Sequence, residues 1–334
     1  MEQEQTLVQK PRIEYLDIAR GMTILMIVSF HVLGETILVY HHFVDSMGLQ
    51  VFLFVSGYFY KKFDLWKNIK KLVIPYMLLL TVVRVYWDVR LHSGFDTQVT
   101  DLLKQFVIGY TYDTMWQQNG FFVGIAWFFP LLVASRLLYA IVTRIEKENL
   151  LVKGCLCLGL SCAGVVIGSH GIKLPWSLDV AMASLPFVYL GELARNYQQV
   201  FTAMYRKIWL LAAFLVTWAV MVFQYGISEL ASRLYPNGMT FLIISSLSMF
   251  VVIGAAYFLE HYLPKLGKVF VIYGKYSFAV LCAHILDKSC LVHSPETNIY
   301  LLLLYELFLA SIPVIVICLI RIVKKGILYA NAQR

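Results

Sequence analysis

Charge is what this sequence has least of. Only 14% of its 334 residues are Asp, Glu, Lys or Arg, while 60% are apolar; a soluble domain carries roughly 25% charged and 45–50% apolar residues. An ordinary soluble enzyme is therefore excluded. The mean hydropathy of +0.70 is spread over the whole chain, so the apolar side chains are too many for a core and must face lipid. Cysteine is short of any useful pattern: the six, at 155, 157, 162, 282, 290 and 318, mostly sit in apolar stretches. Cys155-x-Cys157 is not metal-ligand spacing, and these residues read as small buried apolar groups. A cleavable signal peptide is not expected, because Met1 to Lys10 is polar with two Glu, and Glu14, Asp17 and Arg20 interrupt the next stretch of chain. Nor does the net charge of +8 mark a nucleic-acid binder, which needs basic residues gathered on one solvated face with aromatics for stacking. Here they fall between apolar runs.

What is present is a series of apolar runs bounded by charges or turn residues, each near the roughly 20 residues of a helical span. Ten are predicted, at 13–34, 46–61, 72–91, 121–143, 150–169, 177–195, 207–227, 239–260, 269–287 and 299–322. The fold class is all-α, a polytopic membrane protein of about ten helices forming one domain over 1–334, with no appended soluble domain. The longest loop, 92–120, holds an interfacial stretch from Thr100 to Tyr110. Pro75, Pro130, Pro186 and Pro313 are tolerable inside spans where neighbours satisfy the freed carbonyls. Counting Lys and Arg in alternate loops puts 19 on the side of the N-terminus, among them Lys61, Lys62, Lys67, Lys70, Lys71, Lys153 and Arg195. The other side has 5, Arg90, Lys104, Lys173, Arg233 and Lys288. The positive-inside rule then places both termini in the cytoplasm.

A charge at mid-bilayer costs roughly 2.5–3.5 kcal/mol on insertion scales, so those inside spans call for a reason. In the first, Asp17 and Arg20 are three residues apart and can pair. His31 lies eleven residues beyond Arg20, which at about 100° per residue returns to within about 20° of the same face. Asp17, Arg20 and His31 thus form one stripe, rising about 16 Å from Arg20 to His31. A structural ion pair plus a histidine bonded to a neighbouring helix is the plainer reading; three aligned polar groups favour function. The second span ends in Ser56-Gly57-Tyr58, with Lys61 and Lys62 just beyond, where Ser-Gly lets backbones approach. The lysines either fix topology or bind a phosphate-rich ligand. Arg84 and Asp88 are spaced to pair on the third span. Trp127 to Pro130 reads as mid-helix, and Glu192 and Arg195 as interfacial. His284 is a second intramembrane histidine, a satisfied core residue by default. His41, His42, His170 and His293 fall in external loops without metal spacing, and no metal is expected.

Together these residues resemble the acyltransferase-3 family of integral membrane acyltransferases, in the branch that modifies cell-surface sugars. Members open with Leu-Asp-x-x-Arg-Gly and Arg-x10-His, matched by Leu16-Asp17-Ile-Ala-Arg20-Gly21 and His31. The apolar segment ending in Ser-Gly-Tyr matches Val51 to Tyr58. The basic stretch into Ile-Pro-Tyr matches Lys70 to Tyr76, Trp-Phe matches Trp127-Phe128, and a late Gly-Lys-x-Ser…His matches Gly274 to His284. Gln50 stands where the family often has Pro, and Lys61, Lys62, Lys70 and Lys71 where many members have an Arg pair.

The resemblance implies transfer of an acyl group, acetyl or alternatively succinyl, from cytoplasmic acyl-CoA to a sugar hydroxyl of a surface polysaccharide or its lipid-linked precursor. It implies a multi-pass protein of the bacterial plasma membrane. His31 is the expected general base, with an acyl-carrier role as the alternative. Asp17, Glu14, Ser56, Tyr58, Trp127 and His284 are expected to support it. Arg20, Lys61, Lys62, Lys70, Lys71 and Arg84 are expected to hold the CoA end. Asp17 lies about 21 Å from His31 along one helix, too far to tune it, and is assigned to Arg20. Expected partners are acyl-CoA, the glycan or lipid-linked sugar and membrane lipid, with no nucleic acid; a homo-oligomer is compatible with apolar surfaces all round. The competing reading is an exporter of polysaccharide or lipid-linked sugar, since transporters also carry intramembrane ionisable groups. Against it, the halves show no convincing internal repeat.

Overall fold

The structure, a computed structural model, describes residues 13–33, 36–91, 102–103, 106–109, 124–290 and 298–332. Among these no strand forms, and the elements are helices α1 (Glu14–Leu33), α2 (Leu38–Tyr58), α3 (Leu65–Asn68), α4 (Ile74–Leu91), α5 (Phe128–Ile145), α6 (Leu150–Ser169) and α7 (Leu178–Ala183). They continue as α8 (Leu185–Asn196), α9 (Gln198–Tyr205), α10 (Ile208–Tyr225), α11 (Thr240–Tyr262), α12 (Pro264–Lys275), α13 (Ser277–Cys290) and α14 (Ile299–Ala332). Seven of them, α1, α2, α5, α6, α10, α11 and α14, are long and apolar enough to cross a membrane. Two bent pairs, α7–α8 from Pro175 and α12–α13, raise that to nine if each pair is one span. The run predicted at 72–91 does form a helix, α4, but Arg84, Asp88 and Arg90 make it too polar to count by composition. The interfacial stretch expected from Thr100 to Tyr110 is described only at 102–103 and 106–109.

The bundle is built around α1, which touches α2, α11, α12, α13 and α14 and buries Leu16, Ile18, Ile24 and Val28. Half of its apolar window is buried inside the protein, against 17% for α10 and α14. Those two therefore present Val216, Phe223, Leu301, Leu304 and Phe308 to lipid, as helices apolar all round do. Glycines set the closest crossings. A Cβ on Gly57 of α2 would lie 1.8 Å from the Val188 carbonyl oxygen of α8, and one on Gly191 would lie 2.0 Å from that of Phe54. Gly21 of α1 and Gly274 of α12 meet in the same way, at 2.0 Å from the Phe270 oxygen and 1.8 Å from the Asp17 oxygen. Without hydrophobic driving force between helices in lipid, such close backbone packing holds spans together.

Helix ends obey local chemistry. Asp64 caps α3 by accepting from the Lys67 N–H at 2.9 Å, and Asn149 caps α6 by accepting from Leu151 and Val152. Pro186 sits in the first turn of α8, where a missing N–H breaks no helical bond; Pro75 follows the π-helical turn 69–73 that runs into α4, Pro130 follows the 3-10 turn that leads into α5, and Pro313 lies inside α14. The predicted spans 177–195 and 269–287 are broken, by 57° at Ser184 and 67° at Tyr276. At the first break Ser161 of α6 donates to the Ala183 carbonyl at 2.6 Å, the partner that non-helical backbone at membrane depth requires.

Several sequence expectations change here. The second span starts at Leu38, so His41 and His42 are helical and not in a loop, with His41 paired to Asp45 at 2.9 Å. Trp127 closes a 3-10 turn before α5 and does not sit mid-helix. Cys157 is buried, but Cys155 and Cys162 are exposed on the outer face of α6, because a helix at the bundle's edge turns some small residues outward. Lys153 and Arg233, counted as loop charges, are buried in ion pairs: Lys153 Nζ lies 3.0 Å from Glu192, and Arg233 Nε lies 2.6 Å from Asp179. His293 and the Asp88 side chain lie outside the described residues.

Candidate functional site

Two polar regions lie at opposite ends of α1. At the Arg20 end a cavity of about 420 Å³ is lined by Arg20, Lys61, Lys62, Lys67 and Arg136, with Asp64 as its one carboxylate. Its wall also includes Ser56, Asn68, Val55, Leu132 and the aromatic residues Phe52, Phe59, Tyr60 and Phe63. Five cations against one anion around one cavity suit a polyanion. Arg20 is held from two sides, by Asp17 at 3.6 Å and by a hydrogen bond to Ser277 Oγ at 2.8 Å. The 67° break before Ser277 is what turns that hydroxyl toward α1.

Arg136 is fixed as firmly. Its Nε donates to Ser56 Oγ at 2.9 Å and its Nη1 to Asn68 Oδ1 at 3.0 Å, so α5 ties together the end of α2 and the start of the basic stretch. Tyr60 lies between spans, and burial pushes its phenol pKa above the ordinary value; it stays neutral beside the lysines. Behind it, Glu192 accepts from Tyr139 and from Lys153 and Arg195 at 3.0 and 3.2 Å, and Arg195 also donates to the Tyr60 carbonyl.

At the other end His31 is exposed on α1, with its ring 5.1 Å from that of His284 and 4.9 Å from that of Phe30. His284 is 1% exposed, and its Nδ1 lies 3.5 Å from Glu306 Oε2 on α14. Asp287, one helical turn beyond His284, joins them: ligand atoms of His284, Asp287 and Glu306 all lie within 4.8 Å of one another. That spacing suits a divalent cation and equally an imidazole oriented by carboxylates. Sequence reasoning placed no metal here, and it sought a carboxylate for His31 on α1 itself. The carboxylates near this site come instead from α13 and α14.

The predicted residues thus divide. Arg20, Lys61, Lys62 and Ser56 line one cavity, and Asp17 supports Arg20. His31 and His284 meet at the opposite end. Lys70 and Lys71 are exposed in the π-helical turn after α3 and Arg84 sits on α4; none of the three lines the cavity, because the chain turns away after Asn68. Tyr58 is buried, its ring 5.2 Å from that of Phe59, and Trp127 is buried in its 3-10 turn. Glu14 is exposed in the first turn of α1, away from both regions. Arg136, Asn68, Asp287 and Glu306 were missed. A signal existed for Arg136 and Glu306, each a lone charge within an apolar run.

Helices apolar enough to cross a membrane, a cation-lined cavity and a buried histidine–carboxylate group together describe a membrane protein with a cavity whose charge suits an anion. The acyltransferase-3 family model, an acyltransferase domain, matches residues 13–322. The chain belongs to this family and is a multi-pass membrane acyltransferase. No curated protein and no solved structure shows a significant match to it.

Proposed function

We propose that this protein transfers a short acyl group, acetyl in the first instance, from cytoplasmic acyl-CoA to a hydroxyl of a cell-surface sugar or its lipid-linked precursor. The observation that carries the reading is the cavity with five cations, joined by one helix to a histidine pair about 16 Å away. CoA is a long molecule with its phosphates at one end and its thioester at the other. Arg20, Arg136 and the lysines suit the phosphates, and the pantetheine arm is long enough to run along α1 toward His31.

There, His31 takes the proton of the acceptor hydroxyl as its oxygen attacks the thioester carbonyl. The C–S bond breaks, the acyl group stays on oxygen, and the thiolate leaves as CoA and regains a proton. His284, with Glu306 beside it, orients His31 and stabilises the imidazolium that forms. With both termini cytoplasmic and α4 as a tenth crossing, the basic cavity opens to the cytoplasm; with buried Lys153 and Arg233 set aside, the remaining 18 to 4 distribution of loop Lys and Arg supports that orientation. That placement suits a bacterial plasma membrane.

The test is thiol release. Purified protein given acetyl-CoA and surface polysaccharide from the cells that express it is expected to liberate free CoA in proportion to ester formed, with succinyl-CoA as the parallel donor. A protein that releases no CoA from either donor overturns this choice of donor and acceptor, and sugar export, to which intramembrane ionisable groups are also suited, is then the reading to test.

A further inference from the structure

We propose that Glu192 is a positioning residue for the donor cavity: through Arg195 and Tyr139, its carboxylate holds Tyr60 and so sets Lys61 and Lys62. The proposal rests on the reading of that cavity as the acyl-CoA site. Residues 60–64 form no helix, so the loop that carries the lysines has little secondary structure to fix it. Two handles reach Tyr60, and both begin at Glu192. Arg195 bonds the Glu192 carboxylate at 3.2 Å through Nη2 and donates through Nη1 to the Tyr60 carbonyl. Tyr139 donates to the same carboxylate, and its ring meets that of Tyr60 edge-on, 5.1 Å between centroids at 87°. Tyr60, Lys61 and Lys62 are consecutive in sequence and all line the cavity.

The fourth member explains why a full charge stands here. Lys153 is 1% exposed and Glu192 8%, so the ammonium needs a fixed counterion, and the carboxylate that supplies it is locked in place for its other two donors. A buried ion network of this kind gives little net stability over apolar residues of the same shape. Its effect is geometric: it joins α5, α6 and α8 to the loop. Beyond the loop, at the end of α3, Arg136 donates to the Asn68 side chain, so the basic wall is held on both sides before a ligand arrives, which reduces the ordering cost of binding.

The experiment compares full-length wild type, Glu192→Gln and the double variant Lys153→Met/Glu192→Leu in detergent, varying acetyl-CoA at fixed polysaccharide and measuring CoA binding alongside. Glu192→Gln is expected to raise KM for acetyl-CoA by about tenfold, equivalent to about 1.4 kcal/mol, with kcat and the acceptor KM changed less than about twofold. The double variant removes both buried charges together, so no unpaired charge stays buried, yet it takes the carboxylate from Arg195 and from the Tyr139 hydroxyl, so KM stays raised. A double variant whose KM returns to the wild-type value, or a Glu192→Gln protein with lowered kcat and unchanged KM, overturns the positioning role. Wild-type protein that neither binds CoA nor turns over acetyl-CoA overturns the donor reading, and this proposal with it. Wild-type binding with unchanged KM in both variants overturns this proposal alone.

Discussion

Replacing His31 by alanine is expected to lower acyl transfer by about 10²–10⁴-fold, the contribution of a positioned general base. The loss should appear in kcat with little change in KM for the donor, because the cations that suit the CoA phosphates sit at the other end of α1. Stability should hardly change: His31 is exposed on its helix, so truncation opens no core cavity, and expression and unfolding temperature serve as controls. Transfer within tenfold of wild type removes His31 from the chemistry. Glu306→Gln is expected to cost less than His31→Ala, since Glu306 acts through His284 and its isosteric amide keeps the packing. The His284 ring, 5.1 Å from that of His31, makes the pair a unit, so the two substitutions are expected to be non-additive when combined.

The second large effect is on assembly. Gly57→Val would place a Cβ 1.8 Å from the Val188 carbonyl oxygen, and backbone cannot yield as a flexible side chain does. Helices α2 and α8 must part, at a cost on the order of 3 kcal/mol or more, and with them the loop that leaves α2 and lines the cavity. Gly159→Ala is the control: nothing lies within 4 Å of its added Cβ, and exchanging Gly for Ala in a helix gains about 1 kcal/mol. Thermal unfolding in detergent should show Gly57→Val far below wild type and Gly159→Ala at or above it. Equal unfolding temperatures for the two would mean that α2 and α8 do not cross at their backbones.

The helices and the Asp17–Arg20 pairing were legible because they depend on spacing along one segment. Eleven residues from Arg20 to His31 fix a face whatever the rest of the chain does. The same logic failed wherever the partner came from another helix. Lys153 looks like a topological charge until Glu192, in a different span, is placed beside it. His284 looks like a core histidine until His31 and Glu306 flank it. The resemblance assigns Arg84, Lys70 and Lys71 to the donor site together with Lys61 and Lys62, but none of the three lines the cavity, since the helical turn after Asn68 carries the chain off its wall. The breaks at Ser184 and Tyr276 were also hidden, since both stretches remain apolar throughout; what permits a bend there is a hydrogen-bond donor or a glycine contact supplied from elsewhere in the bundle.

The bond between Arg20 and Ser277 spans 257 positions of the chain, and that separation bears on biogenesis. Spans emerge from the ribosome in order, N-terminal first, so Arg20 enters the bilayer long before the hydroxyl that completes its setting has been made. Gly21 and Gly274 meet the partner backbones at the same place, so α12 docks against α1 as the arginine is captured. Until then the first helix carries its guanidinium with Asp17 as the neighbour already in place. The setting of Arg20 is thus among the last parts of the molecule to form, and a chain truncated before α12 is expected to insert most of its helices without acyl transfer.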